Sequence, residues 1–153
     1  MTRINAREAA VQLCYALVMS GDPPPVCLDN FFDMDHFSAL RNEEELFDLY
    51  SVAPDTVQLA YINDIVTGVA DHLAELNDYI AKYSKGWQVY RISEPALAVL
   101  RVAMYETLYY PDVPAASAFN AAIDIVLNYE DETVVKFVNG ILGSYSRGEL
   151  AAL

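Results

Sequence analysis

Leu59, Ile62, Val66, Val69, Leu73, Leu76 and Ile80 follow one another at alternating spacings of three and four. A strand cannot place its buried residues at that interval, because its side chains alternate with a period of two. The seam therefore predicts one long helix, beginning near Pro54-Asp55 and presenting an apolar edge to neighbouring helices. Such an edge also suits a coiled-coil dimer. In a chain with several other amphipathic helices, it reads first as intramolecular core.

Those other helices are legible from their own stripes and joints. Ala6, Ala10, Leu13 and Leu17 give a first helix from about Asn5 to Val18, ended by Ser20-Gly21-Asp22 and the prolines 23–25. If it reaches back far enough, Arg3 and Arg7 share a face. Cys14 belongs to its apolar side, whereas Cys27 follows the prolines in a loop. Residues 26–53 mix acids with Phe31, Phe32, Phe37 and Phe47, and predict one or two short amphipathic helices. A link around Lys82–Tyr90 holds the single tryptophan, Trp87.

Ser93 is a natural N-cap, with Glu94 and Pro95 in the first turn of a helix that runs to about Tyr110. Pro111-Asp112-Val113-Pro114 makes a tight joint. The next helix spans roughly Pro114–Tyr129, with Phe119, Ala122, Ile123 and Val126 inward. Glu130-Asp131-Glu132-Thr133 opens the last, where Val134, Phe137, Val138, Ile141, Leu142 and Tyr145 form the core stripe. No segment alternates like a strand. The fold class is all-α, a compact bundle of about seven helices, and residues 1–153 read as one domain with an acidic connection at about 21–54.

Composition limits what such a bundle can do. Apolar residues make up 54% of the chain and charged residues 20%, which is a globular balance. No apolar run reaches the roughly 18–20 residues of a membrane helix, and charges interrupt the N-terminus before a signal-peptide core can form, so a cytoplasmic location is expected. The net charge of −13 argues against a broad, sequence-independent coat on nucleic acid. Its distribution is uneven. Residues 1–20 carry Arg3 and Arg7 against Glu8, while the rest of the chain carries 21 acids against 7 bases.

Three stretches, in order, resemble the NusB family. They are Ala6-Arg7-Glu8-Ala9-Ala10-Val11-Gln12-Leu13 with Tyr15, the Glu94–Glu106 segment with Val99-Leu100-Arg101-Val102-Ala103 and Tyr105-Glu106, and Asp112-Val113-Pro114 through Lys136-Phe137-Val138-Asn139-Gly140-Ile141-Leu142. The resemblance covers residues 3–20 and about 55–146 and leaves the acidic 21–54 segment unmatched. It implies a NusB-like fold of two helical sub-bundles. It further implies a non-enzymatic transcription antitermination factor that pairs with small-subunit ribosomal protein ten (NusE). The pair binds the boxA element of ribosomal RNA transcripts, single-stranded, and acts through the RNA polymerase elongation complex. Members occur as monomers and as homodimers.

The RNA-binding residues that the resemblance implies are Arg3, Arg7, Tyr129 and Lys136. Guanidinium groups make bidentate phosphate contacts, and a tyrosine can stack an unpaired base. Each also has a plain structural alternative: solvated charge for the bases, a plug between two helices for Tyr129. Asn139 and Gly140, mid-helix, are expected to serve close packing and a hydrogen bond across the core. Arg101 is expected to pair with a carboxylate such as Glu106 or Glu8. The chain departs from the family at Ile4-Asn5, Asn120-Ala121-Ala122 and Val126-Leu127. Each departure removes charge, so a basic partner must supply much of the attraction for RNA. A protein-interaction module that has lost RNA is the alternative. A metal enzyme built on Asp33-Met34-Asp35-His36 and Glu43–Glu45 is a weaker one; no glycine-rich phosphate loop or nucleophile-base pair supports it, and no cofactor is expected.

Overall fold

The computed structural model describes residues 1–33, 54–85 and 91–152. Among them are seven α-helices: α1 (Arg3–Ser20), α2 (Pro24–Phe31), α3 (Thr56–Asp71), α4 (Leu73–Tyr83), α5 (Glu94–Tyr109), α6 (Ala115–Val126) and α7 (Glu132–Gly148). A short 3-10 turn, Leu150–Ala152, follows. The chain divides into two compact units, Met1–Ala70 and Asp71–Leu153. Among the described residues no helix is long and apolar enough to cross a membrane. The expectations for Trp87 and for the Met34–His36 and Glu43–Glu45 acids fall outside the described residues.

In the first unit, α1 starts two residues earlier than its apolar stripe suggests. The Thr2 hydroxyl accepts from the Asn5 amide at 3.1 Å and so caps the helix ahead of Arg3. Ala6, Ala9, Ala10, Leu13, Cys14 and Leu17 are buried along it. Gly21 ends the helix in the left-handed region, at φ 74°, where its amide reaches the Leu17 carbonyl at 3.0 Å. The prolines then start a helix rather than a loop. With Pro23 extended as the cap and Pro24 and Pro25 in the first turn, no needed donor is lost. Cys27 therefore lies on α2 and is buried, with its thiol 3.7 Å from the Asp22 carbonyl. Phe31 packs edge-to-face on Phe32 and completes the buried side of this short helix.

The long apolar seam is carried by two helices, not one. The backbone leaves α-helical geometry at His72, at φ −109° and ψ 19°. No glycine or proline marks the spot, and spacings of three and four persist on both sides, so periodicity alone cannot reveal the break. What accompanies it is one tertiary contact and one local one: the His72 ring stacks on Tyr109 at 4.5 Å, and its Nδ1 lies 3.1 Å from Glu75, three residues on. Ile62, Val66, Val69, Leu76 and Ile80 are buried as the seam requires, but Leu59 is exposed and Leu73 is only half-buried.

In the second unit α5 is central, packing against α4, α6 and α7. Ser93 caps it as expected, accepting from the Ala96 amide and donating to Glu130. Every residue from Ala96 to Glu106 is buried. Arg101 is among them; its Nε donates to Asn77 Oδ1 at 3.0 Å, and its Nη1 lies 3.6 Å from Glu94. An ion pair is thus present, and Glu94 on its own helix supplies a partner beyond the two carboxylates considered from sequence.

α6 ends at Val126 and buries Ala118, Ala122, Ile125 and Val126, while Phe119 and Ile123 are only half-buried. α7 opens on an Asp131 cap and buries Val138, Ile141, Leu142 and Tyr145; Phe137 is half-buried. At its far end Tyr83 donates to Glu149 at 2.6 Å and Lys82 reaches the same oxygen at 3.1 Å, which holds that carboxyl below its ordinary range.

Tyr145 is fully buried. Thr107 gives its own proton to the Met104 carbonyl, so Tyr145 must donate across the 2.9 Å to Thr107. Burial pushes its phenol up to about 12. Above pH ~10 the unfolded chain loses this proton while the folded chain keeps it, so stability is whole below that point and falls as pH rises through about 12. Urea titrations at roughly pH 9 and pH 11 should show that decline, and Tyr145→Phe should flatten it. Tyr79, Tyr83 and Tyr109, also pushed up, supply the remaining slope. An unchanged slope in the variant would show that Tyr145 ionises as readily folded as unfolded.

Candidate nucleic-acid interface

The four sequence-predicted RNA contacts fall two to each unit. On the first, the early start of α1 places Arg3 and Arg7 one turn apart on one face, both half-buried. Arg3 is held. Its Nε donates to Gln58 Oε1 at 2.9 Å, and its guanidinium lies 3.9 Å from the centre of the Tyr61 ring. Gln58 and Tyr61 sit one turn apart at the start of α3, so they meet the same guanidinium from one helix face. The hydrogen bond engages Nε and the ring meets the face of the guanidinium, which fixes the plane of the group.

On the second unit, Tyr129 follows α6 in the turn toward α7, its amide bonded to the Val126 carbonyl at 3.1 Å. The residue is 40% exposed. Lys136 is exposed in the second turn of α7. It lines an open groove of about 530 Å³ between α6 and α7, with Asn120, Ile123, Asp124, Val135 and Asn139.

Asn139 and Gly140 correct the sequence expectation. Both face solvent, and a Cβ built on Gly140 would meet nothing within 4 Å. The amide of Asn139 belongs to the groove wall, not to the core. Its surroundings were hidden because a mid-helix glycine ordinarily signals close packing. Gln58 and Tyr61 were missed for another reason: they lie 55 and 58 positions from Arg3, and only the tertiary fold joins them.

Among the described residues no group of three or more His, Cys, Asp or Glu is placed to hold a metal ion. Tyr129, Lys136 and Asn139 stand exposed at the surface of the second unit. The NusB family model matches residues 4–147, and the chain belongs to that family. It is 33% identical over 150 residues to the transcription antitermination protein NusB of Acetivibrio thermocellus, covering 98% of this chain and 92% of the relative. The corresponding protein of Limosilactobacillus fermentum is 34% identical over 143 residues, covering 92% and 90%.

Solved structures agree on the fold. NusB of T. maritima superimposes with a TM-score of 0.72 at 24% identity, covering 97% of this chain and 92% of that one. A crystal structure of antitermination factors NusB and NusE in complex with dsRNA gives 0.72 at 21% identity, covering 96% and 98%.

The Arg3–Tyr61 contact has a measurable energy. A double-mutant cycle with Arg3→Met and Tyr61→Leu should give a coupling of about 0.5–1 kcal/mol. Strict additivity of the two substitutions in chemical denaturation would show that the guanidinium is not held there.

Proposed function

We propose that this protein is a transcription antitermination factor that binds boxA-type single-stranded RNA jointly with small-subunit ribosomal protein ten (NusE). It acts in the cytoplasm, on ribosomal RNA transcription, and reaches the RNA polymerase elongation complex through that assembly. It works by binding, not catalysis. Arg3, Arg7, Tyr129 and Lys136 are its RNA contacts: the bases on phosphate, the tyrosine on an unpaired base.

The observation that carries this reading is the clamped arginine on α1. Gln58 and Tyr61 hold Arg3 one turn from Arg7, so less side-chain freedom is lost when the pair meets phosphate. Membership in the NusB family supports the same role. The net charge of −13 sets its limit. Few cations mean few released counterions, and RNA affinity in isolation is low. A basic partner supplies the missing charge. Ile4, 70% exposed where a further base would help, favours the second reading, a module that binds protein only.

Fluorescence anisotropy of labelled boxA RNA separates the two. Tight binding is expected only with the ribosomal protein present, and Arg7→Ala should weaken it while reducing the salt slope by about one. No binding with a folded partner at low salt would leave the protein-only module. Elution of the free protein as a homodimer that dissociates on adding partner and RNA would agree with an RNA face hidden between copies.

A further inference from the structure

A second cavity, of about 280 Å³, lies where the end of α4 meets the outer side of α7. None of the four proposed RNA contacts lines it. Its wall includes Lys85, Arg147, Ser144, Phe137 and Gly140, and no carboxylate is among its described lining residues. In a chain with 22 acids and 9 bases, two cations stand on this wall; Tyr83, also in it, bonds the Glu149 carboxylate, which Lys82 in turn neutralises.

Its chemistry is divided. Arg147 donates through Nη2 to the Ser144 hydroxyl at 3.4 Å, which orients the guanidinium and leaves the Ser144 proton to be given elsewhere. Ser84 cannot do the same, because its hydroxyl already donates to the Ala81 carbonyl. Lys85, exposed, adds a second charge. Beside these groups stand the Phe137 ring and the bare backbone of Gly140.

Gly140 is the second observation. Mid-helix it costs about 1 kcal/mol relative to alanine. Neither of the usual reasons for accepting that cost applies: its φ is not positive, and nothing lies within 4 Å of a Cβ placed on it. What glycine preserves there is open space along the wall of the cavity. A flat ring can approach the helix backbone at such a point as it can approach no other residue.

We propose that this cavity is a nucleotide-binding site, taking a phosphate between Lys85, Arg147 and the Ser144 hydroxyl, and a base against Phe137 and the open face of Gly140. The cavity, about 280 Å³, has room for one nucleotide. That nucleotide comes either free from solution or from within a bound RNA. The first source goes beyond the antitermination reading; the second rests on it and adds a contact.

Uridine monophosphate, uridine and hexauridylate, each titrated by nuclear magnetic resonance into the full chain without partner, test the site. Uridine monophosphate should shift the amides of Gly140 and Ser144 and bind at least ~10-fold more tightly than uridine, the worth of a charge-assisted contact. Arg147→Ala should remove that advantage. Gly140→Leu should abolish binding while melting no lower than the unaltered protein, because it fills open space and gains helix propensity. Binding of hexauridylate alone, lost in Gly140→Leu, assigns the site to an RNA nucleotide. If neither ligand distinguishes the unaltered protein from Gly140→Leu, or uridine binds as well as its monophosphate, the proposal is overturned. Since boxA RNA and the ribosomal partner are absent, that failure leaves the antitermination reading standing.

Discussion

The second unit depends on burying one helix on every side. From Ala96 to Glu106 α5 has no solvent face, so α4, α6 and α7 must each pack against it. The burial includes a guanidinium. Removing Arg101 from water would be prohibitive without partners, and Asn77 and Glu94 provide them. Asn77 lies on α4 and Glu94 in the first turn of α5, so satisfying one buried charge fixes how those two helices meet. Ser93 extends the arrangement to Glu130, which anchors the turn carrying Tyr129 to the start of α5. The turn between α6 and α7 is thereby tied to the same core.

The first unit handles its charge differently. Arg3 stays near the surface, yet its plane is fixed by an amide and an aromatic ring on α3. Preorganisation matters more when charges are few. A protein with many arginines can lose several to disorder and still hold phosphate; this one has two at its N-terminus. The same scarcity explains why a basic partner is built into the proposed mechanism, since it adds both contacts and steering.

How much of this the sequence disclosed varied with the range of the interaction responsible. The all-α class, the Ser93 cap, the Gly21 stop and the Cys14 and Tyr145 core positions are local or periodic, and each was legible. The break at His72 was not, because the ring it stacks on, Tyr109, lies 37 positions away and its local companion, Glu75, sits at an ordinary helical spacing. Cys27 was misplaced by treating three prolines only as a stop, when the first turn of a helix tolerates them. Arg3 and Arg7 were visible as candidates, but the clamp on Arg3 needed the fold. Gly140 was misjudged for the opposite reason: a sound rule about glycine in helices pointed inward, and the residue faces out.

The proposed action of this chain, with a ribosomal protein on an RNA element, has read-through of terminators as its outcome. In vitro transcription across a terminator placed downstream of boxA measures that directly, with the protein added or withheld in the presence of the other transcription components and the ribosomal partner. Increased read-through is expected, and it should require both this protein and an intact boxA sequence. Equal termination with and without the protein, on a template where a known NusB restores read-through, would contradict it.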